Sequence, residues 1–210
     1  MHCGSGQEKS EQALCERVLA SLEEMLNQAY AQLAEGYFEN AIDAFSKCLS
    51  IEPAEAKAYE GRAQANFRIK NWTAAIADFK KASELNPGEP ENWVGLGMSL
   101  AMVNEIYPAI DIFEKLLSER PHYVRGHIQL GMLYYRLGII KKGHEQMDLG
   151  LASRPSLAER RSIEQLKNEQ LTLDKKRLYR PDFEALRRSN SDTEGVLKTL
   201  FRMIKKKFQN

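Results

Sequence analysis

Residues 90–123 read PENWVGLGMSLAMVNEIYPAIDIFEKLLSERPHY. Trp93, Leu96 and Gly97 stand in the first half of this stretch, Ala109 and Phe113 in the second, and Pro121 near its end. The same furniture recurs on both sides. Pro53, Pro87, Pro121 and Pro155 are each 34 residues apart; eight residues before them stand Phe45, Phe79, Phe113 and Met147, and twelve before them Ala41, Ala75, Ala109 and Gly143. A fixed period of this length marks a repeat array. The units run 22–55, 56–89, 90–123 and 124–157, with Ala29, Ala63, Gly97 and Gly131 at position 8 and Met25, Tyr59, Trp93 and His127 at position 4.

Each unit reads as two helices, over about positions 1–14 and 15–28, whose small residues lie where the backbones approach and whose large ones fill the gap to the next unit. One unit cannot bury its own apolar face, so the units must stack into a nearly one-dimensional solenoid. The spaced prolines stop each second helix, and Pro108 falls in a first turn, where its missing N–H costs little. The fourth unit carries Gly143, His144, Met147 and Gly150. It reads as the weakest link, because a glycine inside a helix costs about 1 kcal/mol relative to alanine. His144 reads as a hydrogen-bonded structural histidine.

Composition narrows the function. Of 210 residues 43% are hydrophobic and 28% charged, which suits a folded chain, and a net charge of +1 is not that of a molecule built to coat nucleic acid. Val94 to Val103 is about half the roughly 20 residues a membrane-spanning helix needs. Without a secretory layout at MHCGSGQEKSEQ the expected location is cytoplasmic. Cys3, Cys15 and Cys48 form no CxxC and suggest no disulfide framework or zinc site, with Cys48 expected in the core. No Gly-rich phosphate loop, GxSxG or HExxH occurs, so neither an enzyme nor a cofactor is expected.

The flanks differ from the array. Residues 1–21 form an N-terminal extension, partly helical, in which Ser21-x-x-Glu24 has the form of a capping box; the helix from about Ser10 either runs on or breaks there. Residues 158–210 form the C-terminal part, and the stretch 156–178 reads as a polar-backed capping helix with Leu157, Ile163, Leu166 and Leu171 or Leu173 along one side. A basic amphipathic helix follows over about 193–208. Residues 156–210 carry 14 Lys+Arg against 8 Asp+Glu, and residues 1–155 carry 16 against 21. That last helix could pack on its own array, lie on an anionic membrane surface or dock a partner groove.

The spacing of the aromatic, small, Ala, Phe and Pro positions resembles the tetratricopeptide repeat (TPR) family over residues 22–157, most closely in the third unit. The resemblance implies an all-α solenoid of helix–turn–helix units that binds a protein segment on its concave face through positions 2, 5, 6, 9, 12 and 13 of the first helices. In the first unit these are Glu23, Leu26, Asn27, Tyr30, Leu33 and Ala34; in the second, Lys57, Glu60, Gly61, Gln64, Phe67 and Arg68. In the third they are Glu91, Val94, Gly95, Met98, Ala101 and Met102; in the fourth, Arg125, Ile128, Gln129, Met132, Tyr135 and Arg136. The partner-binding set is taken as Asn27, Tyr30, Lys57, Glu60, Gln64, Arg68, Val94, Met98, Met102, Arg125, Ile128, Met132, Tyr135 and Arg136. Met98, Met102 and Met132 beside Val94, Ile128 and Tyr135 suggest an adaptable apolar surface for an amphipathic helix.

Members of the family that hold a chaperone's C-terminal carboxylate use Lys and Asn where this chain has Leu26 and Tyr30, or Glu60 and Gln64, so that partner is not expected. The expected function is therefore a non-catalytic adaptor or scaffold. The alternative is a peripheral membrane or assembly component attached through its basic C-terminal helix, which could also occupy the groove and inhibit it.

Overall fold

The computed structural model describes the backbone of residues 5–178 and the side chains of residues 20–174. The expected helix over 193–208, like Cys3 and Cys15, lies outside the described side chains. Within the described residues the chain is all helix: α1 (Ser5–Glu35), α2 (Phe38–Ile51), α3 (Ala56–Arg68), α4 (Trp72–Leu85), α5 (Pro90–Met102), α6 (Ile106–Glu119), α7 (Val124–Arg136), α8 (Ile140–Ala152) and α9 (Leu157–Leu178). The chain divides into two units between Arg160 and Arg161, and α1 to α8 lie in the first.

Each first helix begins where the 34-residue register predicts, at Ala56, Pro90 and Val124. Each second helix begins later than expected, at position 17 of its unit: Phe38, Trp72, Ile106 and Ile140. A turn intervenes, and position 15 of every unit sits in the left-handed region: Gly36 (φ 89), Lys70 (φ 65), Asn104 (φ 68) and Gly138 (φ 75). The backbone must reverse within about three residues, and a positive φ does so while the following N–H caps the helix just ended. Thus Asn71 N donates to Asn66 O at 2.8 Å, Glu105 N to Leu100 O at 2.9 Å and Ile139 N to Tyr134 O at 2.9 Å.

At the N-terminus α1 runs straight through Ser21, so the Ser21-x-x-Glu24 pattern does not start a helix. A capping box occurs at Ser156 instead: its N–H and hydroxyl both donate to Glu159 Oε2 (2.8 and 2.7 Å), and its Oγ accepts from Glu159 N (3.3 Å). On α9 Ile163 is buried, whereas Leu157, Leu171 and Leu173 are exposed.

Stacking supplies the burial. One core gathers Leu22, Leu26, Ala29, Ala41, Phe45, Cys48, Leu49, Ala58 and Ala65 from α1, α2 and α3. A second runs from Ala63 through Ala75, Phe79, Val94, Leu96 and Phe113 to Leu133 and Tyr134. Cys48 is in the first, as expected. The rings at position 24 set the spacing between units. Phe45 lies over Gly61 and Phe79 over Gly95, each under 3.0 Å from where a β-carbon would stand. In the third unit the pattern changes. Position 6 of the following unit is Gln129, and Phe113 meets Gly97 of its own unit instead.

The glycines of the fourth unit are packing devices. A β-carbon on Gly143 would overlap the Tyr135 ring and come within 3.2 Å of Gly131 O, and one on Gly131 would meet Gly143 O at the same distance. Close approach of α7 and α8 therefore requires both residues to be small. His144 accepts or donates at 2.9 Å to the Tyr135 hydroxyl and packs edge-on against its ring, the structural role expected.

Candidate functional site

Parallel stacking of the first helices leaves a hollow of about 830 Å³ walled by residues from all four units: Tyr30, Leu33, Ala34, Glu35, Gly36 and Phe38 from the first, Gln64, Phe67, Arg68 and Phe79 from the second, Glu91, Val94, Gly95 and Met98 from the third, and Arg125 from the fourth. Six of the partner-binding residues expected from register line it: Tyr30, Gln64, Arg68, Val94, Met98 and Arg125. Val94 is only 1% exposed, so it forms part of the floor and belongs mainly to the core.

The rest lie elsewhere. Asn27, Lys57, Met102 and Met132 are exposed on the same helices outside the hollow, Met102 to 53% and Met132 to 41%; Ile128 is buried at 8%. Tyr135 turns to Gly143 and His144. Arg136 donates to Ala101 O (2.7 Å) and Asn104 Oδ1 (3.1 Å), which ties the fourth unit to the turn of the third. Of the three methionines Met98 alone lines the hollow. Register reading of first helices had no way to include Phe38 or Phe79, because both belong to second helices, and its chosen positions passed over Glu35, the last residue of α1.

Polar contacts hold these walls. The Tyr30 hydroxyl donates to Lys57 O (2.8 Å), and its ring meets Phe45 edge-on at 5.0 Å. Glu91 accepts from both the Tyr123 hydroxyl and the Arg125 guanidinium. Gln64 Nε2 donates to Glu60 Oε1 (3.0 Å), and the Arg68 guanidinium lies over the Phe38 ring at 5.3 Å. Beneath them Arg62 grips Asp78 with two hydrogen bonds (2.9 and 2.7 Å) and donates to Ser46 Oγ (3.2 Å), which joins α2, α3 and α4.

The electrostatics are uneven. Burial, then the charges of Glu89 and Glu91, push the Glu60 carboxyl above its usual range, against the opposing pull of Lys57 and the Gln64 hydrogen bond. Burial with Glu60 and Glu55 pushes the Tyr30 phenol up. Burial, the hydrogen bond to Glu91 and the charges of Glu91 and Glu89 do the same to Tyr123, with Arg125 opposing. No group of three His, Cys, Asp or Glu side chains with metal-holding geometry occurs among the described residues, and no described helix is long and apolar enough to cross a membrane.

A tetratricopeptide repeat family model matches residues 25–55. Mouse sperm-associated antigen 1 is 33% identical over 86 residues, 41% of this chain and 9% of that protein. The SGT1 homolog of Oryza sativa subsp. japonica is 30% identical over 90 residues, 43% of this chain and 24% of that protein. The chain thus spans a quarter or less of these relatives. Among solved structures, MamA superposes with a TM-score of 0.59 at 25% identity, covering 63% of this chain and 72% of MamA. The first TPR of Spaghetti (RPAP3), bound to the HSP90 peptide SRMEEVD, superposes with a TM-score of 0.53 at 20% identity over 56% of this chain and 93% of its own.

Proposed function

We propose that this chain, whose 34-residue period and stacked helix pairs are similar to those of the tetratricopeptide repeat family, is a non-catalytic adaptor that holds a segment of another polypeptide in its concave groove. One observation carries the reading: the hollow of about 830 Å³ is walled by all four repeats, so an occupant would bridge them all. Its walls mix aromatic and aliphatic surface with a few oriented polar groups, the usual make-up of a recognition site. The peptide held by the Spaghetti TPR supports the reading by likeness of fold.

The test blocks the hollow without adding charge. Ala34 is exposed and lines the groove, so Ala34→Trp fills it from the rim while leaving the core alone. Partners that co-purify with the wild-type chain should be lost from the variant, whose melting temperature should stay within about 2 °C, as befits a surface substitution. Undiminished capture by a folded Ala34→Trp chain would remove the groove from the function.

A second reading, attachment to an anionic membrane through the basic residues near the C-terminus, is favoured by the division of charge, 14 basic against 8 acidic groups in residues 156–210. Sedimentation with anionic vesicles tests it: binding should vanish when residues 193–210 are deleted, and a chain that never sediments at low salt would dismiss it.

A further inference from the structure

We propose that the segment held in the groove seats one bulky uncharged side chain, aromatic or aliphatic, on an apolar floor beside Gly95, and that ionised side chains of either sign are kept off that floor. This rests on the groove reading above and names the chemistry of its occupant.

The floor follows from one missing side chain. Gly95 has no β-carbon, and the Phe79 ring comes up into the space this leaves, with Cζ 2.4 Å from where that carbon would stand. Phe79 and Val94, 4% and 1% exposed, both line the hollow and offer it only carbon. Phe67 and Met98 pack against the same core and, with Leu33, line the hollow half-buried. Each of these three therefore keeps apolar surface for an occupant to cover, which is the driving force available here.

The charged groups of the lining are matched. Glu91 and Arg125, the second residues of α5 and α7, are bonded to each other. Glu35 and Arg68, the last residues of α1 and α3, bring one charge of each sign, and the Arg68 guanidinium lies over the Phe38 ring. Glu55, Glu60 and Glu89, like Lys57 and Arg120, do not line the hollow. Neither sign is in excess along the lining. A lysine or glutamate seated on the floor would give up its water and meet only carbon, whereas a Phe, Leu or Met side chain gives up only apolar hydration. Selectivity comes from that penalty on charged competitors.

The probe is a random library of 12-residue peptides displayed on phage and selected on the full chain. Selected sequences should share one position held by Phe, Trp, Leu or Met, and Ala34→Trp should block them. The Kd of the best synthetic peptide should change less than twofold between 50 and 500 mM NaCl, since no charge surplus is there to be screened. On the wild-type chain, the same peptide with Lys or Glu at the shared position should bind at least tenfold more weakly. Met98→Ala should weaken the parent peptide about tenfold, and Glu35→Gln with Arg68→Gln less than twofold. A shared position that is acidic or basic, or a Kd that rises tenfold or more over that salt range, would overturn the proposal and leave the groove reading standing, provided that Ala34→Trp still blocks binding. The same holds for a peptide indifferent to Lys or Glu at its shared position, or to Met98→Ala. No enrichment, or enrichment that Ala34→Trp leaves intact, would overturn both.

Discussion

The ring of Phe79 fills the space that a side chain on Gly95 would need: three of its atoms lie under 3.0 Å from where a β-carbon would stand. Phe79 is the second helix of one unit and Gly95 the first helix of the next, so the pair sets how closely two repeats stack. Gly95→Ala gains up to about 1 kcal/mol of helix propensity and meets overpacking of about 1–3 kcal/mol, because a buried ring has nowhere to swing. The variant should melt lower than wild type by circular dichroism, and Phe79→Leu added to it should recover part of the loss. A Gly95→Ala chain that melts higher would show that the spacing is soft.

The Arg62–Asp78 pair is the next point of rigidity. Their side chains are 25% and 10% exposed, and the bond is bidentate. Removing one partner leaves a charge half-buried without its counter-ion, so Asp78→Ala should cost about 2–3 kcal/mol in urea unfolding. Arg62→Met with Asp78→Leu removes both charges and should cost less than Asp78→Ala alone. The reverse order would mean that the ion pair itself, rather than the avoidance of an orphaned charge, stabilises α3 against α4.

Much of this was legible because stacking repeats one constraint at a fixed interval. Pro53, Pro87, Pro121 and Pro155, with the rings eight residues before three of them, locate every helix pair of the array. What escaped depends on the third dimension. The register places Val94, Ile128, Tyr135 and Arg136 on the groove side of their helices, yet neighbouring elements bury the first two and give the others hydrogen-bond partners. Phe38 reaches the hollow from a second helix, which no first-helix register could include. The late start of the second helices was hidden because a left-handed residue at position 15 has an obvious signature where it is Gly36 or Gly138, a weaker one at Asn104 and none where it is Lys70.

That turn makes its own prediction. Lys70 holds φ 65 and Gly138 φ 75 at the same position of different units, and nothing lies within 4 Å of a β-carbon built on Gly138. The left-handed conformation costs a residue with a β-carbon about 1 kcal/mol relative to glycine. Lys70→Gly should therefore raise the melting temperature, and Gly138→Ala should lower it by a similar amount. Shifts of the same sign from both would show that side-chain packing, rather than backbone conformation, governs the turn.

Glu60 predicts a pH dependence whose sign follows from its surroundings. Burial with Glu89 and Glu91 holds its carboxyl above the ordinary value of 4.5 in the folded chain. Between that ordinary value and the raised one the folded state binds more proton than the unfolded state, so stability falls as pH rises through this window and the penalty persists above it. Below it both states are protonated and Glu60 behaves as glutamine would. Glu60→Gln keeps an acceptor for Gln64 Nε2 and removes the charge facing Glu89, Glu91 and Lys57. The variant and wild type should melt together in acid below about pH 4.5, and the variant should melt higher at pH 7. A Glu60→Gln chain that melts lower at pH 7 would mean that Lys57 outweighs the two carboxylates.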